Sequence, residues 1–305
     1  MREKGGGVRD LTQPVGWNRG EVQNGAMNSD TTSPNVLLND GISIPQLGFG
    51  VWQVPAHRAA AAVGAALEAG YRHVDTAAAY GNEEGVGVAL RDSGISRDEL
   101  FVTTKLWNAD HGFDSAKAAL AASLRRLGLD HVDLYLIHWP VPARDLYVDS
   151  WRALIELRDA GLTRSIGVSN FHRDHLRRIV DETGVVPSVD QIELHPYLQQ
   201  TALKAELTRR GIHTEAWSPL AQGEAPHDPM LAQIGEAHGK SAGQVAIRWH
   251  LQNGHILFPK SVTPSRIVEN FDVFDFELTD GEMQTIDGLD ESRRFGPDPD
   301  TFVMP

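Results

Sequence analysis

The chain is predicted to fold as a (β/α)8 TIM barrel with an N-terminal β-hairpin and extra helices and loops towards its C-terminus. Three observations carry that expectation. From Leu47 onward, short β-prone runs alternate with helical patterns, the signature of parallel βαβ units rather than a sandwich. Those runs number eight. The positions at their ends hold side chains with chemistry to offer: Asp75 and Tyr80, Lys105, His138, Asn170 and Gln191. Barrels of this kind collect their chemistry where strands end and loops begin. At 305 residues, 41% of them apolar, the chain has the size of one such domain.

The elements follow in order. Residues 1–34 are rich in Gly, Asn, Ser and Thr, lack an apolar period and contain no signal-peptide core, so they are expected to be a disordered extension before a single domain over residues 35–305. Met27, just before Asn-Ser-Asp-Thr-Thr-Ser-Pro, is expected to be the natural start, with residues 1–26 an upstream extension; mass spectrometry of the native N-terminus tests this. Val36–Leu38 and Ile42–Ile44 around Asn39-Asp40-Gly41 form a hairpin, since Asp-Gly supports a left-handed turn. Strands are expected at Gln46–Phe49, Arg72–Asp75, Phe101–Lys105, Val132–His138, Arg164–Val168, Ser188–Glu193, His213–Ala216 and Ile256–Pro259. The helix after the third strand runs from an Asp114 cap to Gly128, with Leu120, Leu124 and Leu127 as its buried stripe. Gly161, Gly184 and Gly211 close the next three helices.

Composition narrows the function. A formal net charge of -13 repels nucleic acid and anionic lipid surfaces, so neither is expected as a partner. The absence of cysteine excludes disulfides and thiolate metal sites, and no apolar run approaches the ~20 residues of a membrane span. A cytoplasmic protein is expected, and a monomer, because no heptad or exposed apolar stripe points to a dimer. The 13 histidines raise the alternative of a metal-dependent barrel hydrolase. No His-x-His closes the first strand and no His-Glu-x-x-His occurs, so no metal is expected.

The strand-end residues make a proton-transfer set. A tyrosine near pKa ~10 needs a neighbouring cation to become an effective acid, and Lys105 can supply it. Asp75 would hold Lys105 charged, since a buried ammonium without a partner is costly. His138 would aim a ring nitrogen at a substrate oxygen and strengthen its hydrogen bond as negative charge develops there. Singly, Asp75 also fits a helix cap, Tyr80 a packing residue, Lys105 a solvated cation and His138 a core imidazole. Their ordered recurrence at strand ends favours the joint reading.

Asp75-Thr-Ala-x-x-Tyr80-Gly-Asn-Glu, Lys105-Leu-Trp107, Leu134-Tyr-Leu-Ile-His138-Trp-Pro, Gly167-Val-Ser-Asn170-Phe, Gln191-Ile-Glu-Leu-His195-Pro and Phe258-Pro-Lys260-Ser resemble the aldo-keto reductase family, from about Val36 to Phe302. Within it the chain looks most like the prokaryotic branch of 2,5-diketo-gluconate reductases and related α-dicarbonyl reductases. The resemblance implies carbonyl reduction with Tyr80 as general acid and Asp75, Lys105 and His138 in the roles argued above. No Gly-x-Gly-x-x-Gly follows a strand, so the cofactor is not held by a Rossmann turn. Instead the resemblance implies Ser169, Asn170 and Gln191 on a nicotinamide carboxamide, Trp217 stacked on the ring, and Ser218, Leu220 and Gln222 on the pyrophosphate. Lys260, Ser261 and Val262 with Arg266, Glu269 and Asn270 cluster around the start of a short helix and suit an anion. They resemble a 2′-phosphate pocket, which implies NADPH over NADH. Trp52, Trp107 and Trp139 would ring the tyrosine as an apolar mouth for a small-molecule carbonyl substrate. Loops Val141–Tyr147 and Ala221–Pro229 and the tail Ser292–Pro305 are expected to select it, with Phe295 and Phe302 near the mouth. The rival within this resemblance is an NADPH-binding regulatory protein with weak turnover.

Overall fold

Eight parallel strands wrap around one axis behind an antiparallel hairpin in a computed structural model that describes residues 33–304. β1 (Asn35–Leu37) pairs with β2 (Ser43–Pro45), and the turn between them differs from the expected one. Gly41 donates to the Leu38 carbonyl at 3.1 Å and alone takes a left-handed φ, +86°. Asp40 does not, so this is an ordinary turn followed by a glycine bulge. Asp40 instead accepts a 2.5 Å bond from Ser165, while Asn39 donates to the carbonyls of Pro187 and Gly211. The buried Leu38 and Ile44 then pack with Phe101, Leu134, Val189 and Ile256 and plug the N-terminal end of the barrel. The start at Met27 and nearly all of the expected tail lie outside the described residues. Its last two residues belong to the barrel side: Ser33 and Pro34 accept bonds from the backbone of Leu47 and Gln46, both at 2.8 Å.

The barrel strands are β3 (Phe49–Gly50), β4 (His73–Asp75), β5 (Phe101–Leu106), β6 (Val132–Ile137), β7 (Thr163–Ser169), β8 (Val189–Glu193), β9 (His213–Trp217) and β10 (Ile256–Leu257). Each pairs in parallel with the next, and a parallel bridge from Leu47 to Leu257 closes the ring. Each expected strand has a counterpart, but the first is displaced, β3 sharing only Phe49 with the expected Gln46–Phe49, and the last stops at Leu257, because only isolated bonds such as Leu257 N–H to the Gln46 carbonyl join the two runs.

Between the strands run α1 (Ala56–Glu68), α2 (Glu83–Asp92), α3 (Phe113–Leu127), α4 (Tyr147–Asp159), α5 (Arg173–Thr183), α6 (Thr201–Arg210) and α8 (Ala242–Gln252), with α7 (Pro229–His238) inserted before α8. α9 (Pro264–Phe271) and α10 (Asp280–Asp287) follow the last strand. Leu120, Leu124 and Leu127 are buried as expected, and Gly128, Gly184 and Gly211 stop their helices at φ between +67° and +72°. Asp114 is not the cap of α3. Gly112, at φ +123°, precedes the helix, and Asp114 sits inside its first turn, where its carboxylate still meets the positive end of the helix dipole.

One close approach gives a stability prediction. A β-carbon at Gly87 on α2 would overlap the backbone carbonyl of Leu127 at the end of α3. Backbone cannot swing aside as a side chain can, so Gly87→Ala is expected to lower unfolding stability by about 1–3 kcal/mol in a urea titration. An unchanged midpoint would show that the two helices can separate freely.

Candidate active site

Tyr80 stands on a single 3₁₀ turn, Ala78–Tyr80, that leaves β4 and ends at Gly81 with φ +64°. The next two residues fasten it. The buried Asn82 amide donates to the carbonyls of Val51 and Val54 and accepts from Thr76, tying the turn to the loop after β3. The buried Glu83 carboxylate accepts from Thr104 at 2.7 Å and from Arg126 at 2.6 Å, tying it to β5 and α3. The phenol is therefore held from both sides.

Lys105, wholly buried on β5, reaches the same place. Its Nζ donates to Asp75 Oδ1 at 2.6 Å and to the Thr76 carbonyl at 2.9 Å, and lies 3.5 Å from the Tyr80 hydroxyl. Burial pulls its pKa down, but Asp75 and Tyr80 outweigh burial, so the ammonium is held above its ordinary range. His138, one residue past β6, sets its ring edge-on to Tyr80 with centroids 5.7 Å apart. Burial first, then the Lys105 charge and His111, hold its imidazole well below the usual range, so it is neutral. The four residues expected to act together converge.

The electrostatic expectation for Tyr80 needs correction. Lys105 and its hydrogen bond do lower the phenol's pKa, but burial raises it more and Asp75 adds to the rise. The net shift is upward. Sequence shows a neighbouring cation; it does not show how completely the barrel wall will desolvate the phenol.

A second network runs round the rim. Asn170, at φ +63°, donates to the His138 carbonyl at 2.9 Å and to Ser169 Oγ at 3.0 Å, and its Oδ1 accepts from Trp217 Nε1 at 2.9 Å. Ser169 donates to the Gln191 carbonyl at 2.7 Å. Gln191 Nε2 lies 3.0 Å from Asp75 Oδ2 and 3.0 Å from Glu215 Oε2. The Asn170 amide is thus engaged at both ends: its two N–H donors are used, and the remaining lone pair of Oδ1 is what it can offer a ligand without giving up one of these bonds. Ser218 and Gln222 both take left-handed φ on the loop leaving β9, and Leu220 between them is half-buried.

Lys260 and Arg266 are exposed at the end of β10 and on α9, and neither has an ion-pair or hydrogen-bond partner among the described residues. Ser261 accepts from the backbone of Thr263, Val262 offers its carbonyl to Arg58, and Asn270 is buried. Glu269 points elsewhere: its carboxylate accepts a 2.6 Å bond from Ser241 at the start of α8.

Of the three indoles, Trp107 and Trp139 pack on His138, with centroids at 5.2 and 6.4 Å, whereas Trp52 is 41% exposed and makes no ring contact among the described residues. The two tail phenylalanines also separate. Phe302 lies on Trp139 at 4.4 Å, and Phe295 packs on His195 at 5.1 Å while its N–H bonds to the buried Glu193.

Several groups at the rim were not expected from sequence. Asn108 accepts from Arg144 at its carbonyl and donates to the Met304 carbonyl at 2.8 Å, joining the tail to the loop after β5. His111 is buried with no hydrogen bond to its ring among the described residues, its pKa held at about 4 by burial and Arg144. Glu215 was readable as an acidic residue inside a strand, yet its partner could be found only once β8 and β9 were paired.

Comparison with known proteins agrees with this geometry. A family model described as the aldo/keto reductase family matches residues 46–291. An aldo-keto reductase of Mycolicibacterium smegmatis is 56% identical over 270 residues, covering 88% of this chain and 98% of that protein. Methylglyoxal reductase DkgA of Escherichia coli K12 is 53% identical over 273 residues, with 88% and 98% covered. Among solved structures, an aldo/keto reductase from Brucella melitensis superposes with a TM-score of 0.83 at 54% identity, covering 85% of this chain and all of that one. A mutant of Gox0644 in complex with NADPH gives 0.86 at 48% identity, with 89% and 99% covered. Sequence, fold and the four converging side chains lead to one assignment: the chain belongs to the aldo/keto reductase family.

Proposed function

We propose that the protein reduces an aldehyde or ketone to an alcohol with NADPH, Tyr80 acting as general acid, and that α-dicarbonyls such as methylglyoxal and keto sugars are its substrate class. The observation that carries this is the buried Lys105 ammonium lying between the Asp75 carboxylate and the Tyr80 hydroxyl, with a neutral imidazole facing the phenol. NADPH supplies the hydride that reaches the carbonyl carbon. Tyr80 donates its proton to the carbonyl oxygen, and Lys105 stabilises the phenolate left behind until solvent reprotonates it. His138, as a neutral imidazole, can donate one hydrogen bond to the same oxygen and so orient the carbonyl.

The rim fits the cofactor's chemistry. Trp217 offers an indole face, and Ser169 and Gln191 offer polar groups beside it. Lys260 and Arg266, without an ion-pair partner among the described residues, are cations suited to a phosphate dianion on a chain of net charge -13. The similarity to methylglyoxal reductase DkgA supports the dicarbonyl class.

The test is NADPH consumption with methylglyoxal, a 2,5-diketo sugar acid and an aromatic aldehyde, each run beside NADH. Turnover with NADPH is expected. Binding of NADPH without turnover of any of them would favour the regulatory alternative. A charge-assisted hydrogen bond contributes ~1.5–3 kcal/mol, so Arg266→Ala is expected to raise the KM for NADPH by roughly 10–100-fold and to leave that for NADH nearly unchanged. Equal losses for both cofactors would remove Arg266 from the phosphate site.

A further inference from the structure

Glu215 lies in the middle of β9, opposite Gln191 of β8 in the parallel register, and its side chain is completely buried inside the barrel. Gln191 Nε2 stands 3.0 Å from Glu215 Oε2 and 3.0 Å from Asp75 Oδ2. Those two acceptors fix which way the amide faces. An amide nitrogen has two N–H donors and can satisfy both oxygens, whereas a flipped amide would set its carbonyl oxygen against the Asp75 carboxylate, a repulsion that a proton on Glu215 would not relieve. With both donors committed, the side-chain carbonyl of Gln191 is the only polar atom of that amide left for a ligand. A carboxamide offers the matching NH2.

Glu215 is an unfavourable occupant of this interior on packing grounds alone. Its Oε1 is buried with no hydrogen-bond partner among the described residues, a condition that ordinarily costs ~1–3 kcal/mol. Burial, with Asp75 adding, pushes its carboxyl up to about 8, so near neutral pH it is mostly protonated and adds little charge beside Asp75 and Lys105. An apolar residue would avoid both costs but would leave one Gln191 N–H without an acceptor.

We propose that Glu215 is a positioning residue that locks the Gln191 amide with its carbonyl towards the nicotinamide carboxamide of NADPH. This rests on the reading above, that the rim binds NADPH. Glu215 would act on the cofactor through Gln191.

The experiment measures the dissociation constants of NADPH and of adenosine 2′,5′-bisphosphate, which carries the phosphate end but no nicotinamide, together with the melting temperature. Glu215→Leu is expected to weaken NADPH about tenfold and to leave adenosine 2′,5′-bisphosphate within about twofold. Glu215→Gln keeps a carbonyl acceptor for Gln191 and is expected to bind NADPH within about threefold of wild type. In a Gln191→Ala background, Glu215→Leu is expected to cost nothing further, because the amide it positions is gone.

The proposal is overturned if Glu215→Leu binds NADPH as wild type does, if both ligands weaken by the same factor, or if Glu215→Gln is as impaired as Glu215→Leu. Should the leucine variant not fold, Glu215→Met is judged by the same criteria. Failure of the wild type to bind NADPH would instead remove the functional reading, an outcome distinct from these.

Discussion

Tyr80→Phe is expected to lower kcat/KM for carbonyl reduction by roughly 10²–10⁴-fold, the range that a positioned general acid supplies, with NADPH affinity nearly unchanged. The substitution removes one oxygen and little else. The ring that packs edge-on to His138 and lies 5.2 Å from the Lys105 ammonium is retained, as is the turn fixed by Asn82 and Glu83. A loss confined to kcat, with the dissociation constant for NADPH preserved, therefore reports proton transfer and not a displaced cofactor. Activity retained within about threefold would mean that the proton comes from elsewhere, and would end the assignment.

The pH dependence adds a second criterion. Burial holds the Tyr80 phenol above its ordinary value of 10.0 and the His138 imidazole well below 6.5, so neither changes protonation between about pH 7 and 9. Of the displaced groups linked to Asp75, Glu215 titrates in that window, near 8. Any bend in kcat/KM there is expected to survive His138→Gln and to vanish in Glu215→Gln. A bend that followed His138 would contradict the neutral imidazole.

Much of this was legible in the sequence, and the parts that were not share a physical cause. Asp75, Lys105 and His138 could be read because a strand end is a local feature and parallel strands bring all such ends to one rim. Gly128, Gly184 and Gly211 could be read because a left-handed helix stop is a property of one residue. The cap of α3 was misplaced by two residues, because Asp114 and Gly112 are both reasonable starts until the chain's entry direction is known. The net shift at Tyr80, the internal engagement of Asn170 and the Gln191–Glu215 pair all depend on contacts between distant strands. Desolvation and cross-strand pairing are tertiary properties; a residue's neighbours in sequence do not report them.

Lys105→Met is expected to produce the largest loss of stability at the site, about 3–5 kcal/mol of unfolding free energy, and on the order of 10 °C in melting temperature, together with loss of reductase activity. The pair it breaks is almost fully dry, with side chains 0% and 6% exposed. Water cannot take over the role of the missing ammonium, so Asp75 would keep a buried charge with Gln191 as its remaining donor. Replacing both partners by apolar residues removes that charge as well as its counter-ion. Asp75→Leu with Lys105→Met is therefore expected to recover most of the lost stability while remaining inactive. That combination distinguishes two reasons for having the pair. If the ion pair served the fold, the double variant would be no more stable than Lys105→Met; if it serves the chemistry, stability returns and catalysis does not. Because Asp75 and Tyr80 hold Lys105 above its ordinary pKa of 10.5 against the pull of burial, its contribution should be present throughout neutral pH and be lost only as pH rises through that elevated value. A loss of stability near pH 8 that persisted in Glu215→Gln, and so did not come from the Glu215 carboxyl, would show that Lys105 is not held charged by Asp75 and Tyr80, and the proton relay would lose its cation.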